Sequence, residues 1–280
     1  MSRYNSGVNS LKLFWHAASA RTYPRVAWLF RSRSWIVQET ILPILSVSAF
    51  AYSYRAMGAP PEFTGVLVLG AAMATFWLNV LWGMGATVYW ERDSGNLELY
   101  IMSPAPLMGI LTGMALGGMT TTLVRAAVIT ITGVVAFGVP LAPTSWWLLV
   151  AVFLLTLAAL YGLGMMFASL FLLWGREAWH LVSLLQEPIY LMSGTNFPLA
   201  PILERFGLKL LTAVVAALPL ATGMDAMRQV LFRTPGLFAV EWEVGVLLAM
   251  AVVFLVSARF LLRYLERRAR IEGKLSIRWQ

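Results

Sequence analysis

Long apolar runs with short polar punctuation dominate the chain. Six of them suit membrane-spanning helices, which need about 20 mainly apolar residues, with a range of about 17–25. The first runs roughly from Trp35 to Tyr54, with Glu39 near its start and Pro43 as a kink. The second covers Phe63–Tyr89, and the third lies within the longer stretch Leu107–Val139. The fourth is Trp146–Trp174. The fifth starts near Ala178 and is expected to turn irregular at Gln186-Glu187-Pro188. The sixth is Val244–Leu262. The pattern predicts an all-α integral membrane protein. Its parts are a cytoplasmic segment (1–34), a six-span domain (35–262) and a basic cytoplasmic tail (263–280).

Composition narrows the class. Of 280 residues, 59% are hydrophobic and 12% charged, against about 25% charged in soluble domains. That excludes a soluble enzyme or a disordered protein. The net charge of +8 would by itself suggest a nucleic-acid partner, but its placement argues otherwise. Thirteen of the 21 basic residues lie in 1–34 and 259–280. Lys/Arg bias sets orientation, so both ends are expected in the cytoplasm of a multi-pass plasma-membrane protein that binds no nucleic acid. Residues 1–34 lack the apolar core of a cleaved signal peptide. With no cysteine, disulfide and thiolate chemistry is excluded.

The expected external connection between spans five and six, roughly 189–243, holds an apolar run of only 11 residues, Leu208–Leu218. That is too short to cross, and Pro198, Pro201 and Pro219 break any longer helix. A pair of re-entrant helices fits, and such backbone must be buried in protein or line a wet cavity. An amphipathic surface loop is the other reading.

One cytoplasmic stretch runs against the charge trend: Glu91-Arg92-Asp93-Ser94-Gly95-Asn96-Leu97-Glu98-Leu99-Tyr100-Ile101-Met102-Ser103-Pro104. Ser94 is placed to cap a helix, with Glu98 in its favourable first turn. Pro104 ends it and disfavours helix at Ser103. Leu97, Tyr100 and Ile101 share a face. Two turns with apolar knobs and an acidic lead suit docking into a partner's groove; a solvated loop is the plainer alternative.

This stretch resembles the "E-x-x-x-G-T-L-E-x-L…S-P" signature of type-2 ABC transporter permeases, with Asn96 for the usual Thr. Two other stretches are similar to elements of that family. Ser193-Gly194-Thr195-Asn196-Phe197-Pro198 matches "S-G-x-x-F-P". Leu218-Pro219-Leu220-Ala221 with Met227-Arg228 matches "P-L-T…L-R". The resemblance covers the chain in order and spacing. It implies a permease that pairs with a second, identical or different, permease subunit. A cytoplasmic ATPase would act through a 91–102 coupling helix, with Glu91, Arg92, Asp93, Gly95, Leu97, Glu98, Tyr100 and Ile101 at the contact. Arg176 and Glu177 would make a smaller contact. An amphipathic connecting helix is implied within Pro24–Ser34. Gly194, Phe197, Pro198 and Pro219 would belong to the external gate. ATP and Mg would be used by the partner, and this chain would bind no cofactor and be no enzyme: the phosphate-cradling G-x-x-x-x-G-K-[ST] is missing, and Gly273-Lys274 lacks both flanking requirements.

Other residues carry two readings each. Arg125, in mid-span, costs about 2.5–3.5 kcal/mol in bilayer, so it faces protein or water. It contacts an anionic substrate, gates with Glu39 or Glu187, or makes a structural pair. Phe76, Trp77, Asn79 and Trp82 line a substrate path or fill the core. Glu187 lies in the path or at an interface. Gly109, Gly113 and Gly117 form a small-residue packing stripe. Arg259, Arg263, Arg267 and Arg270 make one basic face toward anionic membrane lipids. The expected function is permease for an ATP-driven exporter of an amphipathic drug, lipid, glycolipid or peptide antibiotic. An ATP-independent transporter or channel, or a membrane assembly factor, is the alternative.

Overall fold

The computed structural model describes residues 8–31, 33–174 and 177–272. Among these, every regular element is helical. The order is α1 (Val8–Arg31), α2 (Arg33–Ala56), α3 (Pro61–Leu78), a π-helical turn (Asn79–Gly85), α4 (Ala86–Asp93), α5 (Asn96–Met102), α6 (Leu107–Phe137), α7 (Trp146–Trp174), α8 (Ala178–Met192), α9 (Ala200–Phe206), α10 (Lys209–Ala216), α11 (Pro219–Phe232) and α12 (Val240–Glu272).

Four stretches are long and apolar enough to cross a membrane: Glu62–Glu91, Leu107–Phe137, Trp146–Ser169 and Val240–Leu265. They match the expected second, third, fourth and sixth spans. α2 and α8 stand where the first and fifth were expected. α8 has 15 residues, about 22 Å at 1.5 Å per residue, short of the roughly 30 Å hydrocarbon core. The expected irregularity at Gln186-Glu187-Pro188 is corrected: α8 runs through Pro188 to Met192. A proline removes one N–H and strains one turn, and here the helix carries the defect. The expected run Leu208–Leu218 divides at Ala217-Leu218, where α10 and α11 meet at 96°. Pro219 sits at the start of α11 and Leu218 is extended before it, as a residue preceding proline prefers.

The core is built around α3 and the π turn. Phe76, Trp77, Val80, Leu81 and Met84 are fully buried, with Leu160 and Phe171 of α7 in the same cluster. Their rings and side chains interlock edge-on, Phe76 with Phe153 and Trp77 with Phe167. α7 packs along α12 and against α11. α12 turns most of its apolar surface outward, including Leu248, Val252, Val253 and Phe260. For an apolar helix this is the signature of a lipid-facing side.

α1 departs from expectation. The amphipathic helix was placed within Pro24–Ser34; it starts at Val8 and contains Pro24. Its length comes from a seat on α6. Gly109, Gly113 and Gly117 recur one turn apart and face Phe14, Ala18 with Arg21, and Arg25 in turn. Both series rise together, so α1 and the first half of α6 run parallel. A Cβ on Gly113 would fall 2.4 Å from the Ala18 carbonyl oxygen. Only glycine allows that approach, and small-residue stripes serve this purpose where apolar helices associate without a hydrophobic drive. Thr22 Oγ1 adds a hydrogen bond to the Gly113 carbonyl at 3.1 Å.

The Gly113→Ala variant should unseat α1. We expect destabilisation of about 1–3 kcal/mol in thermal unfolding, with faster tryptic cleavage at Arg21 and Arg25. Gly245→Ala, where a Cβ meets nothing within 4 Å, is the control and should leave both readings unchanged.

Candidate functional site

α4 ends at Asp93, and the chain reverses through Ser94 and Gly95 into α5. Gly95 holds φ +77, a left-handed conformation that glycine adopts at little cost. Ser94 does not cap α5, as the sequence reading expected. Its Oγ donates back to the Trp90 carbonyl at 2.8 Å, because the positive φ belongs to Gly95 and places Gly95 at the cap. The expected stop holds: α5 ends at Met102 and Ser103 is extended before Pro104.

This reversal folds α5 back over Glu91. One carboxylate oxygen accepts from Asn96 Nδ2 and from the Tyr100 hydroxyl, each at 2.9 Å. The other forms an ion pair with Arg21 of α1. The Arg21 guanidinium lies 5.5 Å from the centre of the Tyr100 ring. Glu91 is buried and Arg21 about one-third exposed. One carboxylate therefore binds three segments: α1, the end of α4, and α5.

One turn further along α1, Arg25 reaches the π turn. Its Nη2 donates to the Gly83 carbonyl at 3.1 Å, which also accepts from Thr87 Oγ1 at 2.7 Å. Burial, then the neighbouring Arg21 charge, push the Arg25 guanidinium below its ordinary pKa, and Tyr161 partly opposes this. Asn79, which opens the π turn, accepts from the Tyr161 hydroxyl at 3.0 Å. π-helical turns inside α-helices occur often at functional sites.

Beside the π turn, Arg125 lines two clefts. One, about 250 Å³, is walled by Thr75, Asn79, Trp82, Gly83, Thr121 and Thr122 among others. The other, about 280 Å³, is mostly apolar and runs against Pro43, Val47, Ala74, Ile129 and Tyr190. Thr75, Leu78 and Arg125 line both. Among the described residues, Arg125 is the one charged side chain lining either.

The predicted residues divide accordingly. Asn79, Trp82 and Arg125 come together at the clefts. Phe76 and Trp77 point into the core, because they occupy the buried side of α3. Glu187 is exposed and accepts from Gln186 Nε2, while Gln186 accepts from Trp82 Nε1 at 2.6 Å. Glu91 and Tyr100 face inward, leaving Leu99 and Met102 as exposed apolar residues of α5. Asp93 is exposed, and so is Glu177 at the start of α8. Arg176 lies outside the described residues, as do the side chains of Arg92, Leu97, Glu98, Ile101 and Glu39. Arg21, Arg25 and Tyr161 were not singled out. The signal was present: Arg21 and Arg25 share a face at i, i+4, the spacing of the glycine stripe they cover.

At the opposite end of the bundle the Ser193–Pro198 turn is clasped. Gly194 has φ +62, and its carbonyl accepts from Arg228 of α11, which is almost fully buried. The Tyr54 hydroxyl donates to the Asn196 carbonyl at 2.7 Å. The Thr195 backbone lies so close to α3 that a Cβ on Gly70 would fall 1.6 Å from its carbonyl oxygen. Phe197 and Pro198 are half-buried and Pro219 is buried. Asp225 accepts from the Leu237 amide at 2.6 Å, and Gln229 Nε2 donates to Glu243 at 3.0 Å, tying α11 to α12.

No family model matches the chain, and no curated protein matches it.

Two outcomes follow from these contacts. Arg21→Ala and Glu91→Ala should each destabilise by about 1–3 kcal/mol, since each leaves buried polar groups unpaired. The double variant should cost less than their sum, because the partners share one interaction, and Glu91→Gln should cost less than Glu91→Ala. Denaturant or thermal melts measure all four. At the other end, a cysteine placed at Thr195, 2% exposed, should resist thiol labelling. Adding Arg228→Ala should speed labelling roughly tenfold or more by raising local opening.

Proposed function

We propose that the chain is the membrane permease subunit of an ATP-driven exporter of the type-2 ABC class. The reading takes α2, the α3–α4 rod, α6, α7, α8 and α12 as six spans, with both termini cytoplasmic and α9–α11 as a re-entrant external element. α8 would cross a locally thinned bilayer, an adjustment that short spans make at modest cost. Two permease subunits would assemble with ATPase chains, whose closure presses on α5.

The observation that carries the reading is the continuous set of contacts from α5 to the clefts. α5 holds Glu91, Glu91 holds Arg21, and Arg21 shares α1 with Arg25. Arg25 in turn holds Gly83, which lines the cleft with Arg125. A displacement of α5 in the cytoplasm is thereby passed through two helices to the cleft wall. Leu99 and Met102 supply the exposed apolar contact for the ATPase groove. A cleft with one cation and an adjoining apolar chamber suits an amphipathic substrate.

The test is to look for a P-loop ATPase in the neighbouring reading frame and to ask whether it copurifies with this chain. Wild type should bind it and respond to substrate with increased hydrolysis. Leu99→Asp/Met102→Asp should abolish binding. Arg21→Ala should keep binding but lose most of the stimulation. Stimulated hydrolysis that survives all these changes would sink the coupling assignment.

A further inference from the structure

A third cavity lies away from the Arg125 clefts, at the end of the bundle where α1, α6 and α12 begin or finish their contacts. It measures about 630 Å³, within the roughly 300–1,000 Å³ range of ligand pockets. Its walls are apolar, with Leu11 and Phe14 of α1, Met108 of α6, and Val256 of α12 among them. Two cations line it, Arg259 and Arg263. They stand one turn apart on α12, both exposed, with Leu262 buried between them. Among the described residues, no carboxylate lines it.

We propose that this groove holds one anionic phospholipid of the cytoplasmic leaflet. Its phosphate would sit between Arg259 and Arg263, and its acyl chains would lie along Leu11, Phe14, Met108 and Val256. The charge on the rim selects the head group. Two guanidiniums at i, i+4 present donors to one anion, and basic pockets between spanning helices on the cytoplasmic side take anionic lipid head groups. The apolar walls select a lipid over free phosphate. Leu11 and Val256 line the groove and remain exposed, so a lipid lying there would cover apolar surface that the described helices leave open. Its position gives it a role: it bridges α1 to α12, which otherwise share only a small cluster holding Ala17, Leu111 and Leu262 among the described residues. The seat of α1 is thereby fastened on both sides, by the glycine stripe of α6 and by the lipid.

The inference depends on the membrane placement above but not on ATP coupling, and the purified full chain alone tests it. Native mass spectrometry of the detergent-solubilised chain would be recorded with added phosphatidylglycerol, phosphatidylcholine or inorganic phosphate. Wild type should retain one phosphatidylglycerol with roughly tenfold preference over phosphatidylcholine, and phosphate should not displace it. Arg259→Gln/Arg263→Gln should erase the preference. Arg205→Gln/Lys209→Gln, an equal loss of charge at the other end, should leave it intact. Val256→Trp keeps both cations but fills the groove, and should prevent retention. Equal retention of both lipids, displacement by phosphate, loss of preference in the Arg205/Lys209 variant, or undiminished retention in Val256→Trp would each overturn the assignment. Loss of ATPase stimulation with lipid retention unchanged would count against the transport reading and not against this one.

Discussion

The seat of α1 against α6 decides where the charged residues of this molecule meet. The fit of α1 on α6 is a close backbone approach, and its polar contacts follow from that fit. Gly109, Gly113 and Gly117 remove every side chain from one face of α6, and α1 settles to backbone contact there. At that depth Arg21 arrives beside Glu91 and Arg25 beside Gly83. A bulkier residue in the stripe would hold α1 away from the bundle and separate both pairs at once.

Polar clasps close both ends, and a smaller set of hydrogen bonds gathers at the π turn between them. Glu91 closes one end with three donors from two other segments. Arg228 and Tyr54 close the other by gripping backbone carbonyls of the Ser193–Pro198 turn. Between them the bundle is held by ring and aliphatic packing around Trp77 and Phe171, and Arg125 faces clefts in that apolar middle.

Much of this was legible in the residues. The apolar periods located α6 and α7 closely, since Trp146 and Leu107 follow proline- or serine-marked breaks. Pro104 ended α5 as its effect on Ser103 requires. The Ser193–Pro198 and Leu218–Arg228 stretches lie apart in sequence, and the structure brings them together through Arg228 and Gly194. What stayed hidden depended on partners distant in sequence. Pattern alone did not show that Tyr100 turns inward, because its hydroxyl bonds Glu91, which Arg21, about eighty positions before Tyr100, holds from the other side. Phe76 and Trp77 had the same composition as cleft-lining residues; only the rotation of α3 separates them from Asn79 and Trp82. The glycine stripe was read correctly as packing, but its occupant could not be named from α6 alone.

The π turn has a consequence of its own. An α-helix advances about 100° per residue, so a wider turn that accommodates an extra residue resets the angular phase of everything after it. α3 and α4 are therefore one rod with two clocks. Before Asn79 the rod packs on α6 and fills the core; after Gly85 it continues against α7, and Glu91 near its end reaches Arg21 of α1. A helical wheel drawn straight through residues 61–93 would therefore misplace every position after the π turn at Asn79–Gly85.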